Sequence, residues 1–178
     1  MQLRIAERTL RFRAPMTTSF GTLRERTLLE LELEGADGVV GRGEAAPLEP
    51  YDGVSLDAAR EALEAYRVVV GDLDDAPGGA VLDACRAAAD LPQALAAVDL
   101  ALWDRAGRRA GRPVAALLTG IPARWVAVNA TVGAQDRAGT TAACALAVLE
   151  GFECVKLKVG IGDDPGRVAA ARAALGPR

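Results

Sequence analysis

Lysine stands at only two positions, Lys156 and Lys158, in a chain whose other 19 basic residues are all arginine. Arginine keeps its proton inside proteins, whereas a lysine can release its own and serve as a base. In Glu153-Cys154-Val155-Lys156-Leu157-Lys158-Val159 the apolar residues alternate with the polar ones. An extended segment therefore places Val155, Leu157 and Val159 on one face and Cys154, Lys156 and Lys158 on the other. Two amines about 7 Å apart along one face repel as cations, which favours a neutral amine able to take up a proton. The bland alternative is a pair of solvent-facing lysines that guards an edge strand against aggregation.

A second alternating run, Trp125 to Val132, sets Val126, Val128, Ala130 and Val132 on one face and Asn129 and Thr131 on the other. If the two runs are neighbouring parallel strands, Asn129 and Thr131 join the lysines at the C-terminal strand ends, where βα barrels carry their active sites. Otherwise they are ordinary polar residues near a turn. Histidine is absent. Ser-His-Asp and Cys-His catalysis and every histidine-containing metal site are thereby excluded within these residues. Gly160-Ile161-Gly162-Asp163-Asp164-Pro165-Gly166 imitates a dinucleotide loop, but its third glycine is one residue late and its two aspartates repel a pyrophosphate. Capping of the following helix by Asp164 is the simpler role. Cys85, Cys144 and Cys154 form no CxxC pair and no disulfide framework; they read as small apolar fillers in a reducing cytoplasm.

These runs need a scaffold. The chain has 178 residues, 51% of them hydrophobic and 25% charged, enough to build a core in one domain or two small ones. A net charge of −3 offers no basic face for nucleic acid or for an anionic membrane surface. The charged opening segment, Met1 to Arg13, reads as no signal peptide, and no run reaches membrane-spanning length. Leu3 to Phe12, then Leu29-Leu31-Leu33 alternating with Glu30-Glu32-Glu34, then Val39 to Glu44, predict a three-stranded meander turned at Gly35-Ala36-Asp37-Gly38. Pro15 to Arg26 reads as a polar loop too long for a tight hairpin. Gly41-Arg42-Gly43-Glu44-Ala45-Ala46-Pro47 is a strand end whose glycines permit close backbone approach. Glu44 is a lone acid there.

Helices are expected over Leu56 to Val70, capped by Ser55, over about Ala80 to Ala89, and from Pro92 to about Ala106. A short turn, Pro113 to Leu118, leads to a boundary at Gly120-Ile121-Pro122. Beyond it, strand, helix (Asp136 to Glu150), strand and helix (Asp164 to Leu175) repeat at 28-residue spacing, the pattern of parallel βα units. Two parallel strands leave long open edges, so a fragment, a second copy or a complementing chain is the expectation.

Three segments carry a resemblance: Gly41 to Pro47, Ala97-Val98-Asp99-Leu100-Ala101-Leu102-Trp103-Asp104, and Gly151 to Gly160 with its Lys-x-Lys strand. Over essentially its whole length the chain resembles the N-terminal half of the enolase superfamily, in the mandelate racemase/muconate-lactonizing-enzyme branch. The resemblance implies an α+β capping domain (1–123) followed by an incomplete TIM-type α/β barrel, of which 124–178 supply the first two βα units. It implies Lys158 as the base that abstracts a proton α to a carboxylate, with Lys156 beside it. Mg²⁺ would stabilise the enediolate as a Lewis acid. Phe20, Thr22 and Arg24, on the loop that closes over the substrate, and Tyr51 on a second loop, become specificity candidates, Arg24 through a carboxylate pair. Asn129 and Thr131 complete the substrate-binding set.

The family's three acidic metal ligands match nothing in this sequence. The chain alone is therefore expected to hold half an active site, to bind no Mg²⁺ and not to turn over. The expected partner is a small carboxylate substrate, not nucleic acid or membrane. Within the family the reading leans to o-succinylbenzoate synthase-like dehydration, with L-Ala-D/L-Glu-type dipeptide epimerisation and cycloisomerisation close behind. A non-catalytic remnant, or a capping module completed by a partner chain, is the reading from a different class.

Overall fold

A computed structural model describes residues 1–74, 76–133 and 135–176. They divide into two compact units, residues 1–10 with 27–123, and residues 11–26 with 124–178.

The first unit is a sheet backed by helices. Its strands are β1 (Gln2–Thr18), β2 (Gly21–Glu34) and β3 (Val40–Ala45), in the order β1-β2-β3. β2 and β3 are antiparallel, with Leu31 opposite Gly43 and Leu33 opposite Gly41. The period-2 pattern is obeyed: Leu29, Leu31 and Leu33 are fully buried, while Glu30, Glu32 and Glu34 face outward against Arg8, Arg42 and Arg4. Such exposed ion pairs contribute little to stability individually.

Helices α1 (Glu49–Asp52), α2 (Leu56–Val70), α3 (Gly78–Ala88), α4 (Pro92–Ala110) and α5 (Val114–Leu118) follow. The Ser55 hydroxyl caps α2 by accepting from the Ala58 amide at 3.0 Å. The buried stripe Ala59, Ala62, Leu63, Tyr66 and Val70 turns α2 onto the leucines of β2. The Tyr66 hydroxyl donates to the Ala89 carbonyl at 2.6 Å, which settles the one polar group on that stripe. Helix α4 lies closest to the sheet. A Cβ on Gly43 would sit 1.9 Å from the Ala97 carbonyl oxygen, and one on Gly41 would sit 2.0 Å from that of Ala101. The expected close approach is thus backbone on backbone. α4 also runs past Gly107 to Ala110 before Gly111 ends it in a left-handed conformation. Gly107 is kept because a side chain there would meet the Arg112 carbonyl at 2.9 Å.

Arg105 of α4 is buried and pairs with Asp37 at 2.9 Å and Asp74 at 3.1 Å. It also donates to the Val39 carbonyl, fixing the turn after β2. The guanidinium of Arg105 and the Val39 amide hold the Asp37 carboxyl below the usual carboxylate range.

The polar stretch from Pro15 to Arg26 is not a loop. β1 and β2 continue through it and meet at a turn formed by Ser19 and Phe20. The Thr18 hydroxyl donates to the Gly21 carbonyl at 2.8 Å, Thr17 and Thr22 hydroxyls meet at 3.3 Å, and Gly21 has φ +130°. The sequence hid this because the ribbon is largely exposed and needs no apolar alternation.

The second unit contains β4 (Ala130–Val132), α6 (Arg137–Leu149), β5 (Val155–Leu157) and α7 (Asp164–Leu175). β4 and β5 pair in parallel. Both strands are much shorter than the runs expected from composition, and Trp125, Val126 and Val128 are exposed. Strand geometry extends only as far as the ladder that supports it. Asp136 caps α6 through the Gly139 amide at 2.7 Å. Asp163, not Asp164, caps α7, accepting from the Gly166 amide at 3.2 Å. Among the described residues no helix is long and apolar enough to cross a membrane.

Two cysteines are fillers and one is not. Cys85 and Cys144 are buried, whereas Cys154 is exposed, because it lies on the polar face of its run. Burial pushes the Cys85 thiol up to about 11 and moves Cys144 in the same direction. One thiol per chain is expected to react with a disulfide reagent at pH 8, and the other two only in denaturant. A raised folded-state value also means that the stability held by the buried Cys85 thiol is complete below the unfolded thiol range and is lost as pH rises through about 11.

Candidate active site

The parallel ladder places Ala130 beside Val155, Thr131 beside Lys156 and Val132 beside Leu157. The Ala130 amide donates to the Cys154 carbonyl and the Lys158 amide to the Val132 carbonyl, both at 3.0 Å. Val132, Val155 and Leu157 pack with Cys144 and Ala171 of the two helices. The other face therefore carries Thr131 and Lys156, both exposed, and two residues on Lys158, which is half-buried. The Asn129 amide nitrogen donates to the Ala130 carbonyl at 3.2 Å and to the Thr131 hydroxyl at 3.4 Å, so these two residues form one polar edge beside Lys156.

The hairpin turn belongs to the same unit. A Cβ on Gly160, two residues past Lys158, would come within 3.2 Å of the Ser19 Cβ. The turn thus lies against the loop after β5, which brings the adjoining Phe20 and the exposed Thr22 and Arg24 into the unit of the lysines. Tyr51 is elsewhere, on α1 of the first unit and 76% exposed.

Reading the sequence missed the groups that hold the loop behind Lys158. The Asp164 carboxylate accepts from the Gly160 amide at 2.6 Å and from the Ile161 amide at 3.4 Å. These bonds, the first above all, and the Arg167 guanidinium hold its carboxyl below the usual range. Arg167 is 2% exposed; it pairs with Asp164 at 3.1 Å and donates to the Gly133 carbonyl at 2.9 Å. The i, i+3 spacing of Asp164 and Arg167 in the first turn of α7 was the available signal. Asp163 pairs with Arg137, which lowers its carboxyl.

Among the described residues no group of three or more histidine, cysteine or acidic side chains could hold a metal ion. Both aspartates near the lysines are already engaged, so the described residues there offer Mg²⁺ no free acidic ligand set. A hollow of about 880 Å³ on the first unit is lined by Arg8, Glu30, Glu32 and Arg42. Their charges already pair with one another.

Residues 1–119 match the model of the mandelate racemase / muconate lactonizing enzyme N-terminal domain. The chain belongs to that family. Residues 1–119 accordingly carry the family's N-terminal capping domain, an antiparallel sheet with helices. A hydrophobic dipeptide epimerase of Enterococcus faecalis is 29% identical over 98% of this chain and 50% of its own length. An N-succinylamino acid racemase of Thermus thermophilus is 33% identical over 98% of this chain and 47% of its own. The crystal structure of the dipeptide epimerase from Enterococcus faecalis, complexed with Mg and L-Leu-L-Tyr, superposes with a TM-score of 0.90 at 27% identity, covering 98% of this chain and 50% of that one. The chain spans about half the length of the curated relatives it matches. These mandelate racemase-family relatives are an epimerase and a racemase, and they do not support the expected lean to o-succinylbenzoate synthesis.

Proposed function

We propose that this chain supplies the base side of an enzyme that inverts the carbon α to a carboxylate, in dipeptides or N-acylated amino acids. One observation carries the reading: the only two lysines stand at the C-terminal end of a parallel strand packed under helices, Lys156 opposite Thr131 and Lys158 bonded through its amide to Val132. Lys158, with a neutral amine, takes the α-proton; the C–H bond breaks, an N–H bond forms, and the electron pair passes into the carboxylate as an enediolate. A proton delivered to the opposite face by a second acid, supplied by the whole protein outside the residues described, gives the epimer, and Lys158 passes its own proton to solvent. Lys156 stands beside Lys158, opposite Thr131 on the neighbouring strand. Asn129 and Thr131 orient the substrate beside the strand ends, and Phe20, Thr22 and Arg24 select it. The Arg24 guanidinium suits a second carboxylate.

In this reading 1–123 form the capping domain, and β4-α6-β5-α7, within 124–178, are the first two units of a βα barrel, with Lys158 at its C-terminal end. Mg²⁺ is proposed for the whole protein, as in the solved Enterococcus relative. The described residues offer it no ligand set.

The test is solvent exchange. The native protein carrying this sequence, given Mg²⁺, D₂O and hydrophobic dipeptides or N-succinyl amino acids, is expected to place deuterium at the α-carbon, read by loss of the α-proton NMR signal. Dehydration to o-succinylbenzoate without such exchange would overturn the epimerase reading and restore the synthase. Neither activity would leave the non-catalytic module.

A further inference from the structure

The geometry points to Asp164 and Arg167 as positioning residues that set the backbone of Lys158 from the first turn of α7. The inference rests on Lys158 being the base. Four contacts close a ring around that residue. Its own amide donates to the Val132 carbonyl, one residue beyond β5. The next residue along, Gly133, gives its carbonyl to Arg167. Arg167 pairs with Asp164. Asp164 in turn accepts the Gly160 amide, two residues after Lys158. Gly160 has φ +84°, so the chain turns away sharply there and the Asp164 carboxylate takes an amide that the ladder can no longer serve.

Arg167 is buried and bonds the loop after β4, while its partner Asp164 bonds the loop after β5, so the ends of β4 and β5 are tied to each other through one helix. A base must be held to about half an ångström to act well. The three-residue β5 ends before Lys158 and cannot do this by itself. Neither Asp164 nor Arg167 needs to touch substrate for this role.

The small lysine count makes the test direct. Reductive ¹³C-methylation of the chain labels Lys156, Lys158 and the N-terminus, and a Lys156→Arg variant assigns the signals. In Asp164→Ala the Lys158 resonance is expected to move toward the free dimethyl-lysine position while that of Lys156 stays. The Gly160 amide is expected to exchange at least about tenfold faster. Asp164→Asn keeps an oxygen that can accept the Gly160 amide and is expected to restore most of the Lys158 shift. Arg137→Ala removes the neighbouring pair with Asp163 and is expected to leave both signals in place.

Equal movement of the two lysine signals in a folded Asp164→Ala chain, or the same response to Arg137→Ala, would overturn the inference. If Asp164→Ala unfolds the second unit, the unaltered chain decides. A Gly160 amide exchanging at the rate of an unstructured peptide would then be fatal. None of these readouts needs turnover. Full activity in a Lys158→Met protein would remove the catalytic reading alone and leave the ring standing.

Discussion

Replacing Lys158 by methionine is expected to lower α-deuterium exchange by roughly a thousandfold while leaving the fold intact. Lys158 is half-buried, and its structural bond is made by the backbone amide, which methionine keeps. Stability should therefore stay within about 0.5 kcal/mol of the unaltered protein. Lys158→Arg separates charge from base. It retains a long cationic side chain that cannot give up its proton, and so it is expected to be as inactive as methionine. Lys156→Met is expected to cost less, since Lys156 acts on the substrate only through its neighbour. Initial rates of α-proton loss in D₂O measure all three variants. Activity of Lys158→Arg equal to that of the unaltered enzyme would sink the assignment.

The largest structural effect is expected at Gly43. An alanine Cβ there would stand 1.9 Å from the Ala97 carbonyl oxygen and 2.9 Å from its carbonyl carbon. Both atoms belong to helix backbone, so no side chain can rotate out of the way, and α4 must lift from β3. That movement opens the core formed by Leu29, Leu31, Val98 and Ala101. A loss of about 3 kcal/mol or more is expected, at the upper end for overpacking. For a unit of this size it lowers the thermal midpoint by more than about 10 °C. Gly79→Ala is the control. It lies within α3, an added Cβ meets nothing within 4 Å, and its φ is not positive. It should be neutral or stabilising, by about 0.5–1 kcal/mol. Thermal unfolding of the two variants followed by circular dichroism makes the comparison.

Much of the fold was legible from local pattern. The leucine–glutamate alternation of β2, the Ser55 cap, Pro92 at the first position of α4 and the lysine face of β5 all depend on periods and caps that a few neighbouring residues decide. The hairpin from residues 11 to 26 was not legible, because an exposed ribbon carries no apolar alternation and its pairing comes from the opposing strand. The short extent of β4 and β5 was misread for the converse reason. Trp125, Val126 and Val128 have strand-forming side chains, but a strand is made by its partner. In the candidate site the lysines announced themselves by rarity and spacing. Asp164 and Arg167 did not, since a carboxylate three residues before an arginine reads equally well as surface pairing on a helix.

By itself, then, the sequence determined which face of β2 is apolar, where α2 and α4 begin, and that its only two lysines stand two residues apart in an alternating run. These follow from side-chain period and capping, which act over a turn or a strand. Only the tertiary structure decided that Gly41 and Gly43 receive a helix backbone, that Arg105 ties α4 to the turn after β2, and that Arg167 joins the loops behind Lys158. Apart from the local Arg167–Asp164 pair, those contacts link residues between 34 and 68 positions apart. Their energy comes from burial and charge pairing at a meeting point that no local spacing encodes.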